Sequence, residues 1–265
     1  MYLIFNRKTI IFLLIFSLFA CSETSHFDDI RKSAMQGDAT SQTLLGEAYA
    51  NGQGVTQDYN KAFEWYSKAA EQGNVTAQNN LGALYGNGDG VMQDDQKAFE
   101  WYSKAAEQGV ATAQNNLGAA YANGQGVTQN YQKAFEWYSK SAEQGNADAQ
   151  KYLGFLYEDG KGVSQDYKKA FEWYSKSAEQ GNAEAQNRLG IIYANGRGVA
   201  QDYKKAFDWY SRAAQAGNVD AQFTLGIMYY LGEGTSEDIE MAKIWLKKAA
   251  DHGHKDAIAL FEEVN

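Results

Sequence analysis

The chain has 265 residues, with 33 acidic against 24 basic side chains and a formal net charge of −9. An acidic surface of this kind argues against binding nucleic acid and against direct adhesion to anionic lipid, both of which need a basic face. One cysteine leaves no disulfide framework, and the absence of proline leaves helix boundaries to glycine and to Asn or Asp caps.

The first predicted element is a leader, residues 1–20. Arg7 and Lys8 form a short basic start, and Thr9 to Ala20 form an apolar run too short to span a bilayer comfortably. Losing this segment removes two positive charges and no acid, so −9 becomes −11. Leu18-Phe19-Ala20-Cys21 resembles a bacterial lipobox, which implies that Cys21 becomes a lipidated N-terminus. Ser22 stands where an Asp would resemble an inner-membrane retention signal. The expected location is therefore the outer membrane facing the periplasm, with the cell surface as the other option. Residues 21–28 are expected to be a polar tether.

From residue 29 onward the sequence repeats. Trp65, Trp101, Trp137, Trp173, Trp209 and Trp245 stand 36 residues apart, and Gly46, Gly82, Gly118, Gly154, Gly190 and Gly226 keep the same step. A fixed period without insertions predicts a solenoid of like units, each burying its apolar face against its neighbours. The units run 38–73, 74–109, 110–145, 146–181, 182–217 and 218–253. Residues 29–37 and 254–265 are expected to be lone helices capping the two ends.

In the type unit, Ala77, Leu81, Leu84 and Tyr85 recur at helical spacing, predicting a first helix from Thr76 to about Gly86. Asn87 to Gly90 breaks it. Asp94 or Asp95 caps a second helix through Ala98, Trp101, Tyr102, Ala105 and Ala106, and Gly109 ends it. Glycine inside a helix is unfavourable by about 1 kcal/mol relative to alanine. Its recurrence at Gly82 predicts a close crossing against a bulky Trp or Tyr. Trp101 and its equivalents are read as core packing, and Lys68, Glu71 and their equivalents as a solvated outer face with weak ion pairs. The Gly52-Gln53-Gly54 loops lack the lysine and Ser/Thr of a phosphate cradle.

These residues resemble a family. Ala77, Leu81-Gly82, Tyr85, Gly88, Gly90-Val91, Asp94, Lys97-Ala98, Trp101-Tyr102 and Lys104-Ala105-Ala106 follow the pattern of the Sel-one-like repeat (SLR), a relative of the tetratricopeptide repeat. The resemblance implies an all-α fold, an α/α superhelical solenoid of helical hairpins, and a protein-interaction scaffold. Asn130 replaces the capping Asp in the third copy. Thr235, Lys243 and Leu246 make the last copy the most divergent.

Positions that vary between copies fall along one face of the first helices, which in tetratricopeptide-like stacks lines the concave surface. The candidate partner-binding residues are Asn79, Asn115, Lys151, Phe155, Glu158, Asn187, Phe223 and Tyr230. Ala83, Gly86, Ala119, Ala122, Ile191, Ala194 and Ile227 lie between them on the same face. The three C-terminal units add apolar side chains suited to an extended or helical peptide.

Against an enzyme stand the absence of a Ser-x-x-Lys or Gly-x-Ser-x-Gly motif and the periodic placement of the carboxylates. Among the histidines, His26, His252 and His254, no carboxylate or thiolate set completes a metal site. No cofactor and no metal are expected. The favoured reading is an envelope adaptor that binds a protein or peptide. It touches membrane only through its lipid, binds no nucleic acid and is expected to be a monomer. The alternative is a peptidoglycan- or glycan-associated envelope factor with weak β-lactamase-like hydrolysis, as described for cysteine-rich relatives.

Overall fold

The computed structural model describes residues 27–264; Cys21 and the leader lie outside them. Helix α1 covers residues 27–35. Six hairpins follow: α2 (Ala39–Asn51) with α3 (Tyr59–Glu71), α4 (Val75–Asn87) with α5 (Asp95–Glu107), and α6 (Ala111–Asn123) with α7 (Tyr131–Glu143). Next come α8 (Ala147–Asp159) with α9 (Tyr167–Glu179), α10 (Ala183–Asn195) with α11 (Tyr203–Gln215), and α12 (Val219–Leu231) with α13 (Ile239–Asp251). The last helix is α14 (Lys255–Val264). No strand occurs among the described residues, and none of their helices is long and apolar enough to cross a membrane.

The helices begin where side chains can satisfy their open N–H groups. Asn74 accepts from Ala77 N at the head of α4, and Asp94 accepts from Lys97 N at the head of α5. Asp94 is therefore the cap, and Asp95 is the first helical residue. Gly88 closes α4 at φ 78°, a left-handed exit that returns its N–H to Leu84 O. Two residues on, Gly90 lets the loop lie directly on the backbone of Tyr59; a side chain there would overlap the Tyr59 carbonyl. Helix α1 starts at Phe27, inside the segment expected as tether, where the Phe27 ring lies against Gly54.

The chain forms two compact units, one of residues up to Ala113 with Gln125–Thr128, the other of Gln114–Gly124 with residues from Gln129 on. Each is built from the same contacts. In the first, Ala62, Tyr66, Ala69, Ala70, Ala77, Leu81 and Leu84 form one buried cluster. In the second, three such clusters centre on Tyr138, Tyr174 and Tyr210. The repeated helical glycine faces this tyrosine. A methyl on Gly154 would sit 2.5 Å from the Tyr174 ring, and one on Gly82 would sit 2.8 Å from Tyr102.

The tryptophans pack against these clusters, as Trp101, Trp173 and Trp209 do, but the core encloses them less than the sequence reading expects. Trp65, Trp101, Trp137, Trp173 and Trp209 are only half-buried, and Trp245 alone is buried, at 8% exposure. Each carries a cation on its ring from the residue three positions on, from Lys104 over Trp101 at 3.8 Å to Arg212 over Trp209 at 4.7 Å. The recurring lysines thus lie over indole faces, where ion pairs with glutamate were expected. A cation over an aromatic ring contributes about 0.5–1 kcal/mol at exposed sites.

A second recurring element is a glutamine ladder. Gln78 donates to Ala70 O at 3.2 Å and accepts from Gln108 at 2.8 Å, tying a first helix to the second helices on either side. The same pairing joins Gln72 to Gln42, Gln144 to Gln114, and Gln180 to Gln150. At position 216 an alanine takes the donor's place, and Gln186 Oε1 is buried without a partner. The last rung is His252 Nδ1 with Gln222 Oε1 at 3.2 Å.

Phe63–Tyr85, Phe135–Tyr157, Phe171–Tyr193 and Phe207–Tyr229 stack edge-on between successive hairpins. Lys243 replaces this phenylalanine in the last hairpin, where no further hairpin supplies a tyrosine. Helix α14 closes that end. His254 Nδ1 accepts from Ala257 N at 3.2 Å, its ring stacks on Phe223 at 4.2 Å, and Ala257 is fully buried.

Candidate functional site

On a backbone that repeats this closely, a site has to lie where one copy departs from the others. One such departure is α8, whose first-helix face carries Lys151, Tyr152, Phe155 and Glu158. The equivalent positions in α6 carry Asn115, Asn116, Ala119 and Ala122. The aromatic rings form a continuous group in the second unit. Tyr152 stacks on Tyr138 at 5.0 Å and lies 6.2 Å from Phe155, which meets Tyr174 edge-on at 5.5 Å. Beside them opens a cleft of about 320 Å³, lined by Tyr131, Tyr138, Tyr152, Phe155, Leu156 and the Asp159–Lys161 pair. That volume is at the small end of ligand pockets, which start at about 300 Å³.

Under Phe155 lies a charged network. Glu158 is buried, and its Oε2 accepts from Tyr174 O–H at 2.7 Å. Arg188 and Arg197 each approach this carboxylate to 4.0 Å. Arg188 also donates to Glu184 at 3.3 Å and lays its guanidinium over the Phe155 ring at 4.6 Å. Burial first, and then the hydrogen bond to Glu158, push the Tyr174 phenol far above its ordinary pKa, so it remains a donor.

The other expected residues are scattered. Asn79, in the first unit, is half-buried beside Asn80 at 3.4 Å. Asn115 is half-buried, with its Oδ1 lacking a hydrogen-bond partner. Lys151 pairs with Asp148 at 3.5 Å and lies over Tyr152. Asn187 is 4% exposed and offers nothing to a partner; Glu158, likewise buried, acts only through its arginines. Phe223 is occupied by His254, and Tyr230 is 40% exposed on α12.

Tyr152, Lys161, Tyr174, Arg188 and Arg197 belong to the cluster and were not singled out in the sequence. Four of them had a signal there, because they break the repeat: Tyr152 and Arg188 fall where α4 and α6 carry Asn80 and Asn116, and Lys161 and Arg197 where earlier loops carry Gln53, Asp89 and Gln125. Tyr174 recurs as a core residue and had none. Among the described residues no group of His, Cys, Asp or Glu is gathered as a metal would require.

The Sel1 repeat model matches residues 39–74, 75–110, 111–146, 147–182, 183–218 and 219–254, one position downstream of the repeats read from the sequence. Among solved structures, the chain is similar to a protective antigen present in uropathogenic Escherichia coli strains that displays an SLR fold. The TM-score is 0.84 at 37% identity over 90% of this chain, which spans only 51% of the antigen. It is also similar to a Sel1 repeat protein from Oxalobacter formigenes, with TM-score 0.75 and 38% identity over 81% of this chain and 86% of that one. An immunity protein from Pseudomonas aeruginosa matches at TM-score 0.51 and 25% identity, covering 82% and 83% of the two chains. No curated protein matches the sequence. With six consecutive repeats matched and the tyrosine-on-glycine packing shared by its first five hairpins, the chain belongs to the Sel1 repeat family.

Proposed function

We propose that the chain is a scaffold of the bacterial envelope, anchored through lipid on Cys21 at the outer membrane facing the periplasm, and that it holds a protein or peptide on the first-helix face of hairpins 4 to 6. Sel1 repeat proteins generally mediate protein–protein interaction. The observation that carries the reading is the departure of α8 from its sister helices, which sets an aromatic cleft and a charged cluster into a surface built from repeats. Tyr230, exposed on α12 where α10 has Ala194, extends the apolar part of that face.

The test is crosslinked recovery of proteins from envelope lysate by the full chain. Wild type is compared with Tyr230→Ala and Lys161→Ala, both exposed, and with Phe155→Ala, which also gives up a core contact. A protein recovered by wild type and lost by the folded exposed variants is expected. Equal recovery by all would move the site off this face, and retention on purified sacculi alone would favour the glycan reading. For the anchor, Cys21→Ala is expected to shift the chain from the membrane fraction to the soluble one.

A further inference from the structure

Outside the second helices and the two end helices, this acidic chain carries only four basic side chains among its described residues: Lys151, Lys161, Arg188 and Arg197. All four sit on α8, on α10 or in the loops that follow them. The corresponding loop of hairpin 6 instead carries Glu233 and Glu237.

The two guanidiniums are only partly spent. A distance of 4.0 Å to Glu158 is a Coulombic contact, too long for a hydrogen bond, and the carboxylate takes its hydrogen bond from Tyr174. An arginine offers five donors in a planar fork that matches a carboxylate. The acid lies beneath its partners: the Glu158 side chain is 10% exposed, against 33% for Arg188 and 50% for Arg197. A group arriving from solvent meets the cations first. Phe155 joins this pair to the cleft, because its ring carries Arg188 and also lines the aromatic wall.

From this we infer that the partner segment is acidic and aromatic: a carboxylate set on the Arg188 and Arg197 forks, and a neighbouring aromatic side chain in the cleft of Tyr131, Tyr138, Tyr152 and Phe155. The inference rests on the proposed scaffold role of this face and specifies its ligand.

The experiment uses the full chain and three fluorescein-labelled peptides in an anisotropy titration: Gly-Ser-Glu-Trp-Glu-Ser-Gly, Gly-Ser-Lys-Trp-Lys-Ser-Gly and Gly-Ser-Glu-Ala-Glu-Ser-Gly. The first is expected to bind about tenfold more tightly than either of the others, a gap that rising salt narrows against the lysine peptide. Arg197→Gln, half-exposed and therefore tolerated, is expected to erase the preference for glutamate while keeping that for tryptophan. Arg197→Lys, which keeps the charge without the fork, should restore only part of it. Equal binding of the three peptides, or binding of none, overturns the inference. The scaffold reading would then still stand or fall on the lysate recovery, which does not depend on peptide chemistry.

Discussion

The glutamine ladder has one missing rung, and supplying it is the sharpest test of how the hairpins are joined. Gln72, Gln108, Gln144 and Gln180 each donate to a glutamine 30 residues earlier. Ala216 cannot, which leaves Gln186 Oε1 buried and unpaired. Ala216 has φ −77° and ψ 3°, against −83° and 2° at Gln180, so the backbone already suits the longer side chain. Ala216→Gln should therefore form the bond without strain. A net intramolecular hydrogen bond contributes about 0.5–1.5 kcal/mol, and relief of an unsatisfied buried acceptor places the gain toward the upper end. For a chain of this size that corresponds to a rise in Tm of about 2–4 °C per kcal/mol. The assay is thermal and urea unfolding of four proteins: wild type, Ala216→Gln, Gln186→Ala, and the double variant. Ala216→Gln should stabilise wild type and do nothing on the Gln186→Ala background, a coupling that isolates the pair. A gain of equal size on both backgrounds would show that the effect comes from helix capping or the denatured state. No gain on either would refute the ladder as a source of stability.

Alanine at Gly154 should destabilise the chain by about 1–3 kcal/mol, because overpacking against the buried Tyr174 ring outweighs the helix propensity gained. Gly226→Ala faces the more adaptable Leu246 side chain and should cost less; melting both variants checks the order, and the reverse order would exclude ring crowding as the cause. Val110 stands where the other first helices have Asp, Asn or His, so Val110→Asn should cap α6 through Ala113 N and stabilise by about 1 kcal/mol in urea unfolding. Burial pushes Tyr102 and Tyr210 up to about 12 from an ordinary value of 10. The unfolded chain therefore loses these protons first, and the stability they hold below pH 10 is lost as pH rises through 12. That is on the order of 2–3 kcal/mol for each ring. Unfolding followed across pH 9–12 should show the decline, and a Tyr210→Phe variant should lose less of its stability over that window.

The hairpins and their boundaries were legible because the sequence states them six times. What it left open was which of two adjacent aromatics turns inward. Ala98, Trp101 and Ala105 fit one helical stripe; Ala98, Tyr102 and Ala106 fit another only a small rotation away. The choice is made by Gly82 on the facing helix, which admits the Tyr102 ring, and no pattern within a single helix contains that contact. The glutamines were legible in recurrence but silent in meaning. A polar residue that recurs in a first helix can be a surface habit or a buried strut, and only the carbonyl at Ala70 and the amide at Gln108 decide.

The site was half legible for a related reason. Comparing one position across copies singles out Lys151, Phe155 and Glu158, but it treats each substitution as independent. Glu158 is buried, and the two arginines that approach its carboxylate, Arg188 and Arg197, sit on the next hairpin, at positions where hairpins 2 and 3 carry neutral or acidic residues. The partners fall 30 and 39 residues on. In the copy before, Ala122 answers to Tyr152 and Lys161; in the copy after, Ala194 answers to Thr224 and Glu233. A carboxylate moved to either of those positions would find one cation or none, and a buried charge short of partners is destabilising by several kcal/mol. The cluster is therefore a coupled change across two hairpins, and the offsets that reveal it are the ones at which neighbouring hairpins meet.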